Sequence, residues 1–175
     1  MTPHDLVLTP RGVRFLGRLY PCVLGHGGLQ TLKREGDGAT PVGTHEIVAL
    51  HYRPDRMAAP NAWATPMRPG DLWCDDPAHA DYNQQVRAPH PASHEVMRRA
   101  DPLYDLVLVT DWNYPHATPG EGSCIFVHQW RRPGFPTAGC IGFRRDHLGQ
   151  IASQLLPGDR LVVPPLGAGP RHHPR

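Results

Sequence analysis

The chain has 175 residues and a net charge of +2, so it is long enough for one domain with a genuine hydrophobic core. Its basic residues are scattered along the sequence, which argues against the concentrated basic face of a nucleic-acid-binding protein. No apolar run approaches the roughly 20 residues of a membrane-spanning helix. The 21 prolines and 18 glycines require many turns and loops and therefore favour a β-rich fold.

Six short segments rich in β-branched or aromatic residues, each bounded by Gly, Pro or Asp, indicate strands. Together with few helical patterns, they predict a mainly β fold, a sandwich or barrel-like mixed sheet with a helix on one side. In chain order, the predicted strands cover residues 13–15, 19–24, 44–50, 105–110, 123–127 and 160–163.

Two segments have helical features. Apolar residues recur at helical spacing over 144–156 and stop before the pair Pro157-Gly158, which predicts the main helix. Ser93 is a good N-cap and Glu95 falls in the first turn after it, which predicts a second, shorter helix over 93–99.

Two further segments have no clear periodic pattern. Residues 53–92 are dominated by Pro, Ala and polar residues, and they are too many for a structureless loop, so we expect a flap or cover over the functional site. We assign residues 1–165 to one domain and expect residues 166–175 to be a disordered tail.

The stretch from 123 to 140, SCIFVHQWRRPGFPTAGC, ends a predicted strand with His128 and returns through a proline-rich loop to Cys140. A free thiol has a pKa of about 8.5, so a nucleophilic cysteine needs a base beside it. We expect His128 to be that base. Gly139 permits close approach of the backbone. The main-chain N–H groups around Cys140 would form an oxyanion hole. Thr137 would hydrogen-bond the histidine or a bound peptide.

His128 followed by the run 137–140, TAGC, resembles the catalytic signature of the YkuD family of L,D-transpeptidases. The block 33–44, KREGDGATPVGT, is similar to a segment near the start of that family. WCDDP at 73–77, with the Tyr-Asn pair at 82–83 and YDLV at 104–107, is similar to a proteobacterial branch with a short His-to-Cys loop. The resemblance covers roughly residues 11–164. Many members have Gly after the histidine and Arg two places after the cysteine, where this chain has Gln129 and Gly142.

This resemblance implies a YkuD-like β-sandwich with one or two short helices and a catalytic cleft at one end. It also implies a peptidoglycan L,D-transpeptidase that needs no cofactor or metal and whose partners are donor and acceptor stem peptides. Cys140 would form a thioester with the diaminopimelate of a tetrapeptide stem and release D-Ala. Transfer to an amine of a second stem would make a third-to-third or first-to-third link, whereas transfer to water would make the enzyme an L,D-carboxypeptidase. The resemblance gives no oligomeric state.

Further residues are candidates for contact with the substrate. Flat aromatic faces and amide groups suit a peptide or sugar backbone, although packing explains Trp112 equally well. Guanidinium groups near the nucleophile loop would supply the charge of the missing arginine or, alternatively, belong to the solvated surface. Asp75 and Asp76 are carboxylates for an ammonium group or, alternatively, part of a turn, and we expect residues 40–43 to form a rigid turn before the strand at 44. The substrate-binding candidates are Tyr82, Asn83, Trp112, Asn113, Arg131 and Arg144.

Three other functions remain open. Cys124, His128 and Cys140 are potential zinc ligands, but residues four apart in one strand are separated by about 13 Å, so we predict no metal site. A non-catalytic peptidoglycan-binding module is disfavoured because both Cys140 and His128 are present. A cysteine hydrolase of another amide stays possible. We expect Cys22, Cys74 and Cys124 to be buried small residues rather than disulfide partners.

The resemblance places the protein in the periplasm or cell envelope. The first residues, MTPHDLVLTPRGVRF, contain no uninterrupted apolar core of a signal peptide. We therefore expect this sequence to be a mature or trimmed form, and the alternative is export by a route that the sequence does not show.

Overall fold

The computed structural model describes residues 2–165, within which fifteen strands and one α-helix are formed. The predicted tail over 166–175 lies outside the described residues. The elements are β1 (Leu6–Thr9), β2 (Gly12–Phe15), β3 (Arg18–Tyr20), β4 (Cys22–Val23), β5 (Leu29–Gln30), β6 (Thr40–Pro41), β7 (Gly43–Tyr52), β8 (Thr65–Pro66), β9 (Asp71–Cys74), β10 (Gln85–Arg87), β11 (His94–Val96), β12 (Leu106–Thr110), β13 (Phe126–Gln129), β14 (Ile141–Phe143), α1 (Arg145–Gln154) and β15 (Arg160–Val163).

The main sheet has ten strands and bends back on itself. Its order is β3-β2-β1-β15-β7-β12-β13-β14-β4, with β8 paired to β7. β3 and β4 lie at opposite edges of this sheet, yet only Pro21 separates them in the chain. The single strand predicted over 19–24 is therefore wrong. Proline has no N–H for the strand ladder, and the chain changes edges there, which brings the two edges of the sheet near each other.

The two faces of the central strands belong to different cores. On β12, Leu108 points into the core enclosed by the bent sheet, which Ile151 of α1 helps to fill. Val109 points the opposite way, into a second core with Trp73 and Phe126. Trp73 comes from a separate three-stranded sheet, β10-β9-β11, that covers this second face. Sheet packed on sheet gives the mainly β sandwich that the sequence predicts.

Most predicted elements are confirmed, with boundaries that differ by at most two residues. The strands predicted over 13–15, 44–50, 105–110 and 160–163 correspond to β2, β7, β12 and β15, and the main helix corresponds to α1. The confirmed elements carry strong periodic patterns, which is why the sequence alone located them. β1, at the start of the described chain, was not predicted.

Two other predictions need correction. The helix predicted over 93–99 is wrong, because β11 pairs with β9 and places Glu95 opposite Trp73; a partner strand outweighs the local capping signal. The strand predicted over 123–127 begins only at Phe126. Cys124 has φ +53°, a left-handed conformation that does not continue a strand. His128 is therefore the third of four residues in β13.

Residues 53–92 are ordered rather than structureless, since they contain β8, β9 and β10. Trp73 in β9 is only 2% exposed, and the segment forms a wall against the main sheet. Among residues 2–165 the only α-helix is α1, and its ten residues are too few to cross a bilayer.

Candidate active site

A cavity of about 510 Å³ opens on the second face of the main sheet. It lies where β13 and the turn before β14 meet residues at the ends of β9 and β11. Of the residues considered from the sequence, Cys140, His128, Thr137, Arg131, Asp75 and Cys124 line this cavity. Residues that the sequence did not suggest also line it: His26, Glu35, Glu95, Arg99, Leu103, Tyr104, Ser123, Phe135, Pro136 and Ala138.

The thiol of Cys140 is held at the wall of the cavity, just before β14. Its side chain is in the second core and the residue is 8% exposed. The Sγ–H donates to the carbonyl oxygen of Cys124 at 3.0 Å, and the N–H of Phe126 donates to Sγ at 3.4 Å. Burial raises the pKa of Cys140 to about 12, although the Phe126 N–H acts in the opposite direction. At neutral pH the resting group is therefore a thiol.

The imidazole of His128 has a fixed tautomer. Its Nδ1 lies 2.7 Å from the carbonyl oxygen of Gln129, and because a carbonyl only accepts, Nδ1 carries the hydrogen and Nε2 keeps its lone pair. The edge of the ring packs against the ring of Tyr104, with centroids 5.1 Å apart. Burial lowers the pKa of His128 to about 4, so the imidazole is neutral at physiological pH.

The two groups occupy the same side of the main sheet. Phe126 and His128 are two residues apart on β13, so they share a face and are separated by about 7 Å along the strand. The Phe126 N–H contacts the thiol of Cys140, and both Cys140 and His128 line the cavity. With the pKa of the thiol far above that of the imidazole, the resting pair is neutral rather than a thiolate with an imidazolium.

The turn 137–140 is built to present Cys140. The Thr137 hydroxyl donates to the carbonyl oxygen of Cys140 at 2.5 Å and accepts from the Gly139 N–H at 3.2 Å. Gly139 has φ +138°, and a Cβ there would lie 2.9 Å from the carbonyl oxygen of Ala39. Only glycine satisfies both conditions. In the structure Thr137 thus bonds the backbone around the cysteine, and not the histidine.

Thr40 supports this turn from the other side. Its hydroxyl donates to the carbonyl oxygen of Gly139 at 2.8 Å and accepts from the N–H of Gly25 at 3.0 Å. The sequence indicated a structural role for residues 40–43, but it gave no partner for Thr40. Gly139 is 99 residues away in the chain, a contact that no local pattern reveals.

Glu35, within the block 33–44, connects three parts of the cavity wall. Its carboxylate accepts from the Tyr82 hydroxyl and, at 2.8 Å, from the Ser123 hydroxyl. Tyr82 is 3% exposed and its oxygen also accepts from the Gly122 N–H at 3.0 Å. Burial and the neighbouring Glu35 raise the pKa of Tyr82. Tyr82 therefore braces the wall from behind.

Both polar atoms of the Asn83 side chain form hydrogen bonds to neighbouring segments of the protein. It is 2% exposed. Its Oδ1 accepts from Trp73 Nε1 and from the Cys124 N–H, at 2.9 and 3.0 Å. Its Nδ2 donates to the carbonyl oxygens of Trp112 and Asn113. These contacts fix the left-handed bend at Cys124, immediately before β13.

Three more candidates lie away from the lining of the cavity. Trp112 donates through Nε1 to the Glu121 carbonyl at 3.0 Å. Asn113 closes its own loop, with Nδ2 2.9 Å from the Gly122 carbonyl oxygen. Arg144 pairs with Asp146 and lines a different cavity of about 590 Å³. The structure does not bring these three side chains to Cys140.

The cavity wall carries charges of both signs. Burial raises the pKa of Glu95, and the guanidinium of Arg99, 3.6 Å away, counteracts this shift. The Oδ1 atom of Asp75 is buried and has no hydrogen-bond partner among the described residues. Arg131 packs its guanidinium over the ring of Phe135 at 5.3 Å. A zwitterionic ligand would find complementary groups here.

All four cysteines are free thiols. The donor atoms of the residues considered as zinc ligands do not lie together in one site within residues 2–165; these residues are Cys124, His128 and Cys140. Cys124 lies in a left-handed turn before β13 begins, so Cys124 and His128 are not in one strand, and the thiol of Cys140 donates to the backbone carbonyl oxygen of Cys124.

Comparison with known families gave one match. The family model YkuD, the L,D-transpeptidase catalytic domain, matches residues 6–163. This range contains every residue that lines the cavity. Searches of the curated proteins and of the solved structures returned no match.

Proposed function

This chain belongs to the YkuD family of L,D-transpeptidase catalytic domains, and on this basis we propose that it is a cysteine acyltransferase that cross-links peptidoglycan stem peptides. Cys140 is the nucleophile and His128 the base. The observation that carries the proposal is the shared cavity, in which a thiol and an imidazole with a free Nε2 face the same space. A binding module would not need this pair.

The first step acylates the enzyme. His128 Nε2 takes the proton from Cys140 as the sulfur attacks the carbonyl of diaminopimelate at its bond to the terminal D-Ala. Because the resting pair is neutral, proton transfer accompanies the attack. The N–H of Gly139 is engaged by Thr137, so we assign stabilisation of the oxyanion to the N–H of Cys140. His128 then returns the proton to the amine of D-Ala, which leaves a thioester on Cys140.

The second step transfers the acyl group. An amine of a second stem peptide attacks the thioester while His128 accepts one of its protons, and the thiol is released. The side-chain amine of diaminopimelate gives a third-to-third link, and the amine of L-Ala gives a first-to-third link. The same thioester attacked by water would give a tripeptide, the product of an L,D-carboxypeptidase.

The charges of the cavity support a peptide substrate of this kind. Diaminopimelate carries an ammonium and a carboxylate on its side chain. Asp75 and Glu95 supply carboxylates for the ammonium, and Arg131 supplies a guanidinium for a carboxylate. Tyr82 and Asn83 act behind the wall in this proposal rather than on the ligand. Since the substrate is a cell-wall polymer, we place the activity in the periplasm or cell envelope.

The proposal is tested by incubating the purified protein with defined disaccharide tetrapeptides and resolving the products by mass spectrometry. A cross-linked dimer that has lost one D-Ala is expected from the wild type and from Cys22→Ala, and not from Cys140→Ala. Cys22 is a suitable control because it is a partly buried thiol in β4 that does not line the cavity. Tripeptide alone would indicate a hydrolase, and turnover by Cys140→Ala would refute the proposed nucleophile.

A further inference from the structure

A second group of chemically active side chains lies on the three-stranded sheet, outside the lining of the active-site cavity. One ligand atom from each of Cys74, His79 and His90 lies within 4.8 Å of the others. Cys74 is the last residue of β9, His79 lies in the following turn, and His90 follows β10. Three separate stretches of chain therefore converge at one point. We propose that this group binds a zinc ion that fastens the wall of the active-site cavity.

The spacing of the donor atoms suits a metal ion. Three atoms with the observed separations surround a point no more than about 2.8 Å from each of them, and zinc bonds imidazole nitrogen and thiolate sulfur at about 2.0 to 2.3 Å. Movements of less than 1 Å, roughly, would thus complete the bonds. One thiolate and two imidazoles are borderline-soft ligands that select zinc over calcium or magnesium, which require oxygen.

The buried nitrogen of His90 needs a partner that residues 2–165 do not supply. Its Nε2 is shielded from solvent and makes no hydrogen bond among the described residues. Burying such a group without a partner costs free energy. The rings of His79 and His90 meet edge to face with centroids 4.9 Å apart. A metal ion between these rings and Cys74 would satisfy the unpaired nitrogen.

The second ring nitrogen of His79 already has a suitable neighbour. Nδ1 lies 3.7 Å from the Asp81 carboxylate, and in the metal-free tautomer it accepts from the Asp81 N–H at 3.1 Å. Metal binding at Nε2 would move the ring proton to Nδ1, which would then exchange the hydrogen bond from the Asp81 N–H for one to the Asp81 carboxylate through a small rotation of the ring. A carboxylate in this position orients a metal-binding imidazole and increases its basicity.

The local charge also favours a dication. The carboxylates of Asp75, Asp76 and Asp81 lie close enough to act electrostatically on Cys74. They would attract a zinc ion, which displaces the thiol proton when it binds. Three protein ligands leave the fourth position of a tetrahedral ion for water or one of these carboxylates.

Zinc at this point would act on the active site through the backbone. The turn between Cys74 and β10 carries Asp75, which lines the cavity, and Tyr82 and Asn83, which brace Glu35 and Cys124. A metal bond to Cys74 and His79 at one end of this turn, and to His90 beyond β10, would restrict its movement. The ion would take no part in the chemistry at Cys140.

The test is a zinc titration of the chelator-stripped protein against a competing chromophoric chelator. One equivalent should bind to the wild type, and binding should weaken at least tenfold in His79→Ala and in the His79→Ala/His90→Ala double variant. His116→Ala is the matched control, because it removes an exposed histidine elsewhere and should bind zinc as the wild type does. Both His79 and His90 are partly exposed, so circular dichroism should show folded variants.

A second control separates this group from the active site. Cys140→Ala should keep the zinc, and cobalt in its place should show the near-ultraviolet thiolate-to-cobalt charge-transfer band, which should be lost in Cys74→Ala. Zinc should also raise the Tm of the wild type but not that of the double variant. Failure of the wild type to bind zinc, equal binding by the double variant, or zinc that is lost with Cys140 would each overturn the proposal.

Discussion

The two faces of strands β12 and β13 perform different tasks. Leu108 and Val127 point into the core enclosed by the bent sheet, whereas Phe126 and His128 point to the face that carries Cys140 and the cavity. Neighbouring residues of one strand thus serve stability on one side and chemistry on the other. Side chains alternate along a strand, so Val127 packs in the core while His128 lines the cavity on the other face. The packed core therefore fixes the backbone that positions His128.

The largest expected effect comes from removing the nucleophile on the cavity face. Cys140→Ala should reduce transpeptidation at least about 10³-fold, while the free energy of unfolding should change by no more than about 1 kcal/mol because only a sulfur atom is lost. Product analysis and urea unfolding measure the two effects. A large loss of stability with residual activity would identify Cys140 as a packing residue.

The opposite pattern is expected on the core face. Leu108 is fully buried, and Leu108→Ala should lower the free energy of unfolding by about 2 to 5 kcal/mol through lost burial and a cavity. The rate per folded molecule should be close to that of the wild type, with Leu108→Met as the volume-conserving control. A specific loss of rate in the fully folded variant would show that the two faces are not independent.

Thr40 joins the block 33–44 to the nucleophile turn, so its substitution should affect both properties. Thr40→Val leaves the Gly25 N–H and the Gly139 carbonyl without their partner, at a cost of about 1 to 3 kcal/mol. We expect kcat to fall about tenfold, since misplacement of a reacting group slows catalysis. Thr40→Ser keeps the hydroxyl and should restore kcat, whereas an equally slow serine variant would exclude the hydrogen bonds as the cause.

The pH dependence of catalysis follows from the neutral pair. His128 must be neutral to accept a proton, and burial lowers its pKa to about 4. The acid limb of kcat/KM, which reports the free enzyme, should therefore fall near pH 4 and not near 6.5. Buffers from pH 3.5 to 8 would measure it. An acid limb near 6.5 would mean that the imidazole is solvated in the free enzyme.

A smaller effect concerns stability. Burial lowers the pKa values of His45, His51 and His128. Below about pH 6.5 the unfolded chain binds protons at these positions while the folded chain does not, so the free energy of unfolding should decrease as pH falls from about 6.5 toward 4. Urea unfolding at pH 7 and pH 5 would measure it, and His128→Gln should flatten the slope. If the free energy of unfolding of His128→Gln depended on pH as steeply as that of the wild type, His128 would not be a buried neutral imidazole.

Sequence patterns predicted the regular parts of the fold and proposed His128 and Cys140, which line the same cavity. β7, β12, β15 and α1 have strong periodicity, and the spacing of His128 and Cys140 within a recognisable block identified the candidate pair. The errors have a common physical origin. The helix predicted over 93–99 is wrong because this segment forms β11 and pairs with β9, a partner that the local sequence does not reveal.

The supporting residues were hidden for the same reason. Thr40 reaches Gly139, and Glu35 reaches both Tyr82 and Ser123, through contacts between segments far apart in the chain. Asn83 was proposed as a ligand contact because amides suit peptides, but its buried position follows from Trp73 and the bend at Cys124. Residue type indicates what a side chain can bind, and only the fold indicates which partner it meets.

The most direct test of the central claim is intact-protein mass spectrometry during turnover of a disaccharide tetrapeptide. Our account predicts an adduct with the mass of the donor less D-Ala, located by digestion on the peptide that contains Cys140. This adduct should be absent in Cys140→Ala and should form slowly in His128→Ala. Continued turnover without an adduct, or an adduct on Cys22, Cys74 or Cys124, would contradict Cys140 as the nucleophile.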